Sequence, residues 1–290
     1  MMPRACVFCG NDAVPMTKEH IFANWIAGLY GHMPTGISQI VDTNGVVRVW
    51  GTRVFQDRIG IVCENCNGGW MSQLEGRVSQ ILGPIIKSGW TSSLSPVSQS
   101  DIAFWAVKTA FVMDHMYREE RLIPDSEYRA FYDARQPLPS HMVWIAERSN
   151  PADNLASSLK EQVLEIQVPS NNQDLAARIS DDIAAGARIY RVTFSVGHLA
   201  VQVFGHTLPT TFDVTEGPGN HEFTRRIWPA SSQTIIWPPP RPIEDIGGLR
   251  GLHEMFGETS LPRIPRPIQQ SNRKARRAAR RTSNHLDTNQ

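Results

Sequence analysis

Two cysteine pairs and one acid–histidine dipeptide are the residues of this chain whose types and spacing can do chemistry. Cys6 and Cys9 lie in CVFCG, Cys63 and Cys66 lie in CENCN, and the chain holds no other cysteine. A C-x2-C pair turns two thiolates toward one ion, and two such pairs fill the tetrahedral shell of zinc at Zn–S distances of about 2.3 Å. Gly10 and Asn67-Gly68, directly after the pairs, suit the tight turns this requires. A disulfide framework fits poorly, because the chain is large and its start, MMPRACVFC, has no apolar signal segment. Two separate redox motifs would leave the pairing of the pairs unexplained. The expectation is one structural zinc on Cys6, Cys9, Cys63 and Cys66, coupling metal binding to the folding of residues 6–66.

Glu19-His20 follows the first pair in TKEHIFANW. Four thiolates saturate a tetrahedral zinc, so Glu19, His20 and Asn67 are not needed as ligands of that ion. A lone histidine before an apolar pair is ordinarily a satisfied, half-buried residue, and this one has a cysteine pair on either side. As a combination, C-x2-C, then E-H-I, then V-C-x2-C-N resembles the zinc-knuckle subtype of the HNH endonucleases, which are built on the ββα-metal fold. The fuller runs TKEHIFANW and CNGGWMSQLE resemble a group of uncharacterised bacterial and phage proteins identified as HNH endonucleases.

The resemblance covers roughly residues 6 to 85. It implies that Glu19 and Asn67 bind a catalytic divalent ion, Mg2+ or Mn2+, that His20 is the general base, and that DNA is cut to 5′-phosphate and 3′-hydroxyl ends. RNA is the alternative substrate. The chain departs from the family pattern at two places. Where relatives carry an Asn or His about five residues before the second knuckle, this sequence reads QDRIGIVC, which offers Asp57 or Arg58. Asp57 is the candidate to hold the imidazole by its other nitrogen. Where relatives often carry a basic residue four after the Asn, Met71 stands here, so a phosphate clamp must come from Lys18, Arg53, Arg58 or Arg77.

These residue types also suit the chemistry without the resemblance. Phosphodiester hydrolysis needs a water deprotonated near neutral pH, and an imidazole with an ordinary pKa near 6.5 serves. It also needs a hard cation to offset charge on the phosphate and the leaving oxygen. Carboxylate and amide oxygens are proper ligands for Mg2+, which keeps several waters and takes few protein groups. The zinc would do no chemistry and would only hold a strand end and a helix start in place.

The elements that must position these groups are legible in outline. Residues 37–55, ISQIVDTNGVVRVWGTRVF, read as a hairpin around Asn44-Gly45, with Arg48 and Arg53 on it. After Asn67 a helix is expected, with Trp70, Leu74, Val78, Ile81 and Ile85 on one face, closing at Pro84 and KSGW. Glu75 on that helix reads as a surface acid, with a third carboxylate near the metal as the alternative. A longer helix is expected over about 99–120, capped by Ser98 with Asp101 three later, and a short one after Pro124. The second acid–histidine pair, in MDHM at 113–116, sits mid-helix without a knuckle and reads as structural. HMVWIAE, EQVLEIQV, IYRVTFSV and LAVQVFGH read as strands, the last two joined at Gly197-His198. DLAARISDDIAAG reads as a helix, and a last helix is expected near IEDIGGLRGLHEMF.

The fold class expected is α+β: an N-terminal ββα-metal module over 1–90, an α+β domain over 91–257 with no motif of its own, and a disordered tail over 258–290. The composition, 41% apolar and 20% charged over 290 residues, is that of a globular protein. No window approaches about eighteen apolar residues, so no membrane span is expected and the cytoplasm is the default location. The net charge of +1 hides an asymmetry. The tail NRKARRAARRTSNHLDTNQ carries six basic residues between 273 and 281 against Asp287 alone, which leaves the rest of the chain mildly acidic. Such a run is commonly just solvated. As a functional element it would neutralise nucleic-acid phosphates without reading sequence. The competing function is a non-catalytic zinc-knuckle module that binds nucleic acid or protein, in which His20 is dispensable.

Overall fold

A computed structural model describes residues 5–31, 35–41, 47–53, 55–116, 121–151, 156–162, 173–209, 220–244 and 252. The chain is a mixture of helices and antiparallel sheets, in keeping with the α+β expectation. Among the described residues no helix is long and apolar enough to cross a membrane.

Strands β1 (Met16–His20) and β4 (Arg58–Cys63) pair antiparallel, with Met16 opposite Cys63 and His20 opposite Arg58. Their register slips between Thr17 and Glu19, where Val62 and then Ile59 are the partners, so β4 carries the extra residue of a bulge. Around the bulge the carbonyl of Ile61 accepts from the Val7 amide at 3.1 Å, which ties the first cysteine pair to β4. Between β1 and β4 lie helix α1 (Asn24–Leu29) and the paired strands β2 (Thr35–Val41) and β3 (Val47–Arg53). The expected hairpin is thus present as strands, while its Asn44-Gly45 turn lies outside the described residues.

Past β4 the chain enters the helix expected after Asn67. It runs through a short helical turn, α2 (Glu64–Cys66), and a π-helical turn over Asn67–Met71, into helix α3 (Ser72–Ser88). Leu74, Val78, Leu82, Ile85 and Ile86 are buried along one side of α3. Pro84 sits inside the helix rather than ending it. Termination comes at Gly89, whose left-handed backbone (φ 64) lets its amide bond the Ile85 carbonyl at 2.8 Å.

Helix α4 (Pro96–Asp114) begins earlier and ends earlier than its sequence pattern indicated. Its cap is Ser95, whose Oγ accepts from the Ser98 amide at 3.2 Å, with Pro96 in the first turn. Asp101 plays no part in that cap and instead takes a bidentate contact from Arg77 of α3 at 2.9–3.1 Å. Every residue from Ile102 to Asp114 is buried, so from its second turn onward α4 is a central helix without a solvent face.

One side of α4 meets α3 and the turn before it, where Trp70 stacks on Phe104 at 5.4 Å. The other meets a five-stranded antiparallel sheet, where Trp105 packs edge-on to Phe194 at 5.8 Å. That sheet has the order β10 (Thr224–Trp228), β6 (His141–Glu147), β9 (Leu199–His206), β8 (Ile189–Val196) and β7 (Ala156–Gln162). Its period-2 alternation sends Val143, Ile145, Val192, Phe194, Val201 and Val203 toward α4. Met142, Trp144, Ile189 and Phe204 go to the opposite face, under helix α6 (Gln173–Ala184). Strand β7 occupies 156–162, upstream of the EQVLEIQV run, and residues 163–172 lie outside the described set. Short strands β5 (Ser92–Leu94) and β11 (Ile235–Trp237) pair beside the start of α4.

Helix α5 (Asp125–Ala134) completes the core around the first knuckle. Phe8, between Cys6 and Cys9, is fully buried among Trp70, Phe111, Tyr128 and Phe131, with ring centroids 5.6–6.5 Å away. One apolar cluster therefore runs from Cys6 to Trp237 and includes residues on both sides of position 90. Apart from Ile243, Glu244 and Leu252, the last helix expected near 243–256, the Pro-rich linker and the basic tail lie outside the described residues.

Candidate functional site

The four cysteines come together although 54 positions separate Cys9 from Cys63. Their sulfurs all lie within 4.8 Å of one another, and Cys9 and Cys63 are 3.5 Å apart. A tetrahedron with Zn–S bonds of about 2.3 Å has sulfur–sulfur edges of about 3.8 Å, so the cluster suits a metal such as zinc. All four are free thiols, three of them buried. The Cys66 thiol bonded to Cys6 pulls Cys6 down to about 4, while that same contact pushes Cys66 far up. Burial pushes Cys63 up as well. Four sulfurs packed this closely can all be thiolates only when a cation takes the place of their protons. Gly10 closes the first knuckle with φ 66, and a side chain there would collide with the Arg129 guanidinium, which donates to the Phe8 carbonyl at 3.2 Å.

Beside the cluster, β1 and the start of α3 enclose a cavity of about 350 Å3. Its wall includes Thr17, Glu19 and His20 from β1, Asn24 from α1, Asn67 and Ser72 beyond the second knuckle, and Glu64 and Glu75. By volume it holds on the order of ten waters. The bulge and the knuckle explain the convergence. Cys63 ends β4 opposite Met16, and Asn67 is the next residue after Cys66, so the pairing that aligns β1 also sets where Asn67 starts its turn. Asn67 Nδ2 donates to Thr17 Oγ1 at 2.9 Å, and that hydroxyl donates to the Val62 carbonyl at 3.1 Å. With its nitrogen committed, the atom Asn67 has left for a ligand is Oδ1.

His20 Nε2 is buried and makes no hydrogen bond, which leaves Nδ1 as the ring nitrogen that can meet a solvent molecule. Burial, and then the Arg58 guanidinium across the strand pair, hold the imidazole below its ordinary value against the opposing pull of Glu19 and Glu75. The ring is accordingly neutral at pH 7 and has a lone pair to offer. Glu19 is buried, and its Oε1 accepts from Lys108 Nζ of α4 at 2.9 Å. The same ammonium is 2.6 Å from Glu75 Oε1. Hard oxygen donors, an imidazole and three acidic side chains around a wet cavity suit a hydrated divalent cation.

The chain matches no protein-family model, and no curated protein or solved structure shows significant similarity to it. What the site can do must therefore be argued from its own residues. The structure brings Glu19, His20 and Asn67 to one cavity. Asp57 does not line it; the Asp57 carbonyl accepts from the Ile21 amide at 2.9 Å, one residue past His20. Among the basic residues weighed as phosphate contacts, Arg77 is held by Asp101, while Lys18 and Arg58 are exposed at the strand pair. Nothing is described of the Arg48 and Arg53 side chains.

Of the two readings the sequence allows for Glu75, the structure favours the alternative: it lines the cavity and is only 20% exposed. Lys108, which pairs with two carboxylates of the wall, has no place in the sequence reading. Its signal was a single cation in the apolar run AFWAVKTAFVM, where a fully buried ammonium must have found carboxylates elsewhere in the fold.

Proposed function

We propose that this chain is a cytoplasmic HNH-type endonuclease that hydrolyses DNA phosphodiester bonds with one divalent ion, Mg2+ or Mn2+, and carries a structural zinc on its four cysteines. The observation that carries the reading is the convergence of Glu19, His20 and Asn67 on one cavity beside the cysteine cluster. An antiparallel strand pair leading through a knuckle into a helix, in the order β1, β4, α3, agrees with a ββα-metal arrangement.

In this reading Glu19 and Asn67 Oδ1 hold the ion, and the ion when bound offsets negative charge on the phosphate and on the leaving 3′ oxygen. His20 is neutral and accepts the proton of the attacking water at Nδ1, with its own proton kept on the buried Nε2. Asp57, the candidate to steady the imidazole, makes no hydrogen bond to the buried Nε2, so its support would run through its backbone carbonyl, which accepts from the Ile21 amide beside His20. Thr17 fixes the Asn67 amide so that its oxygen, not its nitrogen, is presented. The cavity is acidic and does not by itself attract phosphate, so backbone contacts fall to exposed cations. Arg58 stands opposite His20, and the basic run 273–281 adds salt-dependent attraction. The products are 5′-phosphate and 3′-hydroxyl ends.

Cleavage of supercoiled plasmid with Mg2+ or Mn2+, by protein shown to hold about one zinc, tests the proposal. His20→Ala should lower the rate by about 10²- to 10⁴-fold at unchanged zinc content. His115→Gln, at the other acid–histidine pair, should leave it intact. Failure of the wild type to cut DNA or RNA with any divalent ion would sink the nuclease reading in favour of a zinc-knuckle module that only binds.

A further inference from the structure

Lys108 reaches from helix α4 to two carboxylates of the cavity wall, one of them Glu19, 89 positions away in the chain. Its side chain has no solvent exposure, and apart from Thr109 its neighbours in the helix from Trp105 to Val112 are apolar and buried. A buried ammonium is unfavourable unless it is paired, and here two carboxylates pair it, Glu19 at 2.9 Å and Glu75 at 2.6 Å. Stability alone does not call for such a group. Replacing a buried ion pair by apolar side chains of similar volume is often neutral or favourable, and the run of α4 around Lys108 is otherwise almost wholly apolar. The ammonium meets α4's partners at two carboxylates that belong to the wall of the cavity.

Each carboxylate commits one oxygen, its Oε1, to Lys108. Each keeps Oε2. We infer that Lys108 is a positioning residue for the divalent-ion site: it fixes Glu19 and Glu75 through one oxygen apiece, so that each presents a single oxygen at a set place. Two carboxylates and one ammonium leave this group with one net negative charge, and without the ammonium the carboxylates would repel each other. Helix α4, which packs on the five-stranded sheet, thereby becomes part of the site's support. The inference rests on reading the cavity as a divalent-ion site, but its test does not depend on cleavage.

The experiment is a Mn2+ titration of the full zinc-loaded chain, with free Mn2+ read by electron paramagnetic resonance and unfolding temperature read in parallel. The wild type should bind one Mn2+. Glu75→Gln leaves Lys108 to neutralise Glu19 alone and should weaken Mn2+ binding by about tenfold or more. Lys108→Met should unfold at a lower temperature without Mn2+ and, with neither carboxylate held in place, should gain a smaller Mn2+ shift than the wild type. Equal or larger Mn2+ shifts in Lys108→Met than in the wild type, or unchanged affinity in Glu75→Gln, would overturn the inference, as would a wild type that binds no Mn2+. If Lys108→Met does not fold, Glu75→Gln decides alone. A wild type that binds Mn2+ with these dependences but cuts no nucleic acid upholds the role of Lys108 and refutes the nuclease.

Discussion

Asp114 closes helix α4 as a fully buried carboxylate, and its removal can be followed contact by contact. Its oxygens accept from the Leu122 amide at 2.9 Å, the Ile123 amide at 3.2 Å, Tyr128 Oη at 3.2 Å and Lys160 Nζ at 3.0 Å. In Asp114→Ala, Tyr128 keeps the Phe111 carbonyl at 3.1 Å and loses little. The two amides lose their acceptor, at about 1–2 kcal/mol each. Lys160, whose side chain is 8% exposed, loses its carboxylate but keeps the Asp114 carbonyl at 3.2 Å, which places that loss near the lower end of about 3–5 kcal/mol. The sum is about 5–7 kcal/mol, comparable to the whole stability of a marginal domain of about 5–15 kcal/mol. Asp114→Asn keeps the shape and one acceptor oxygen and should lose about half as much. Urea unfolding of zinc-loaded protein, followed by circular dichroism, measures both. An alanine variant that loses less than about 1 kcal/mol, or an asparagine variant that loses as much as alanine, would refute the reasoning. Cleavage by either variant, assayed well below its unfolding temperature, should match the wild type, because Asp114 lies outside the cavity.

Metal removal and pH probe two other parts of the structure. Cys63→Ser should drop zinc content from about one per chain to near zero and lower the unfolding temperature by more than 10 °C, on the order of several kcal/mol. Because Cys63 also ends the strand that aligns β1 with Asn67, added Mg2+ should not restore cleavage; wild-type zinc content in the variant would contradict the four-cysteine site. His115 is held down to about 4, first by burial and then by the Arg121 guanidinium, so the unfolded chain binds its proton near pH 6.5 before the folded one does. Stability should therefore be fully present above pH 6.5 and decline as pH falls toward 4. His115→Gln should flatten that decline in the unfolding temperature relative to the wild type, in which thiolate protonation is the same; parallel curves would remove His115 as the cause.

How much of this was legible in the sequence depended on the range of the interaction involved. The two C-x2-C pairs, the Glu19-His20 dipeptide and the Asn after the second knuckle announce themselves because their chemistry is written within a few residues. The strands at 189–196 and 199–206, with Gly197-His198 between them, follow from period-2 patterning, and the helices at 125–134 and 173–184 from local polarity. Errors of a few residues fell at element ends, where several groups compete for one role. Ser95 rather than Ser98 caps α4, and Asp101 was drawn to Arg77 of another helix.

Sequence by itself therefore determined the mixed α+β class, the elements around the knuckles and which residue types could hold a metal. Only the tertiary structure decided that four sulfurs meet within 4.8 Å, that Glu19, His20 and Asn67 share one cavity, and that Glu75 belongs there too. It alone placed the Lys108 ammonium between Glu19 and Glu75, 89 and 33 positions away along the chain. The physical reason is that a helix or strand pattern reports only which face is apolar. Which charged group waits on the other side of that face is set when α4 is buried between α3 and the sheet, and a buried cation must then find its carboxylates wherever the packing has put them.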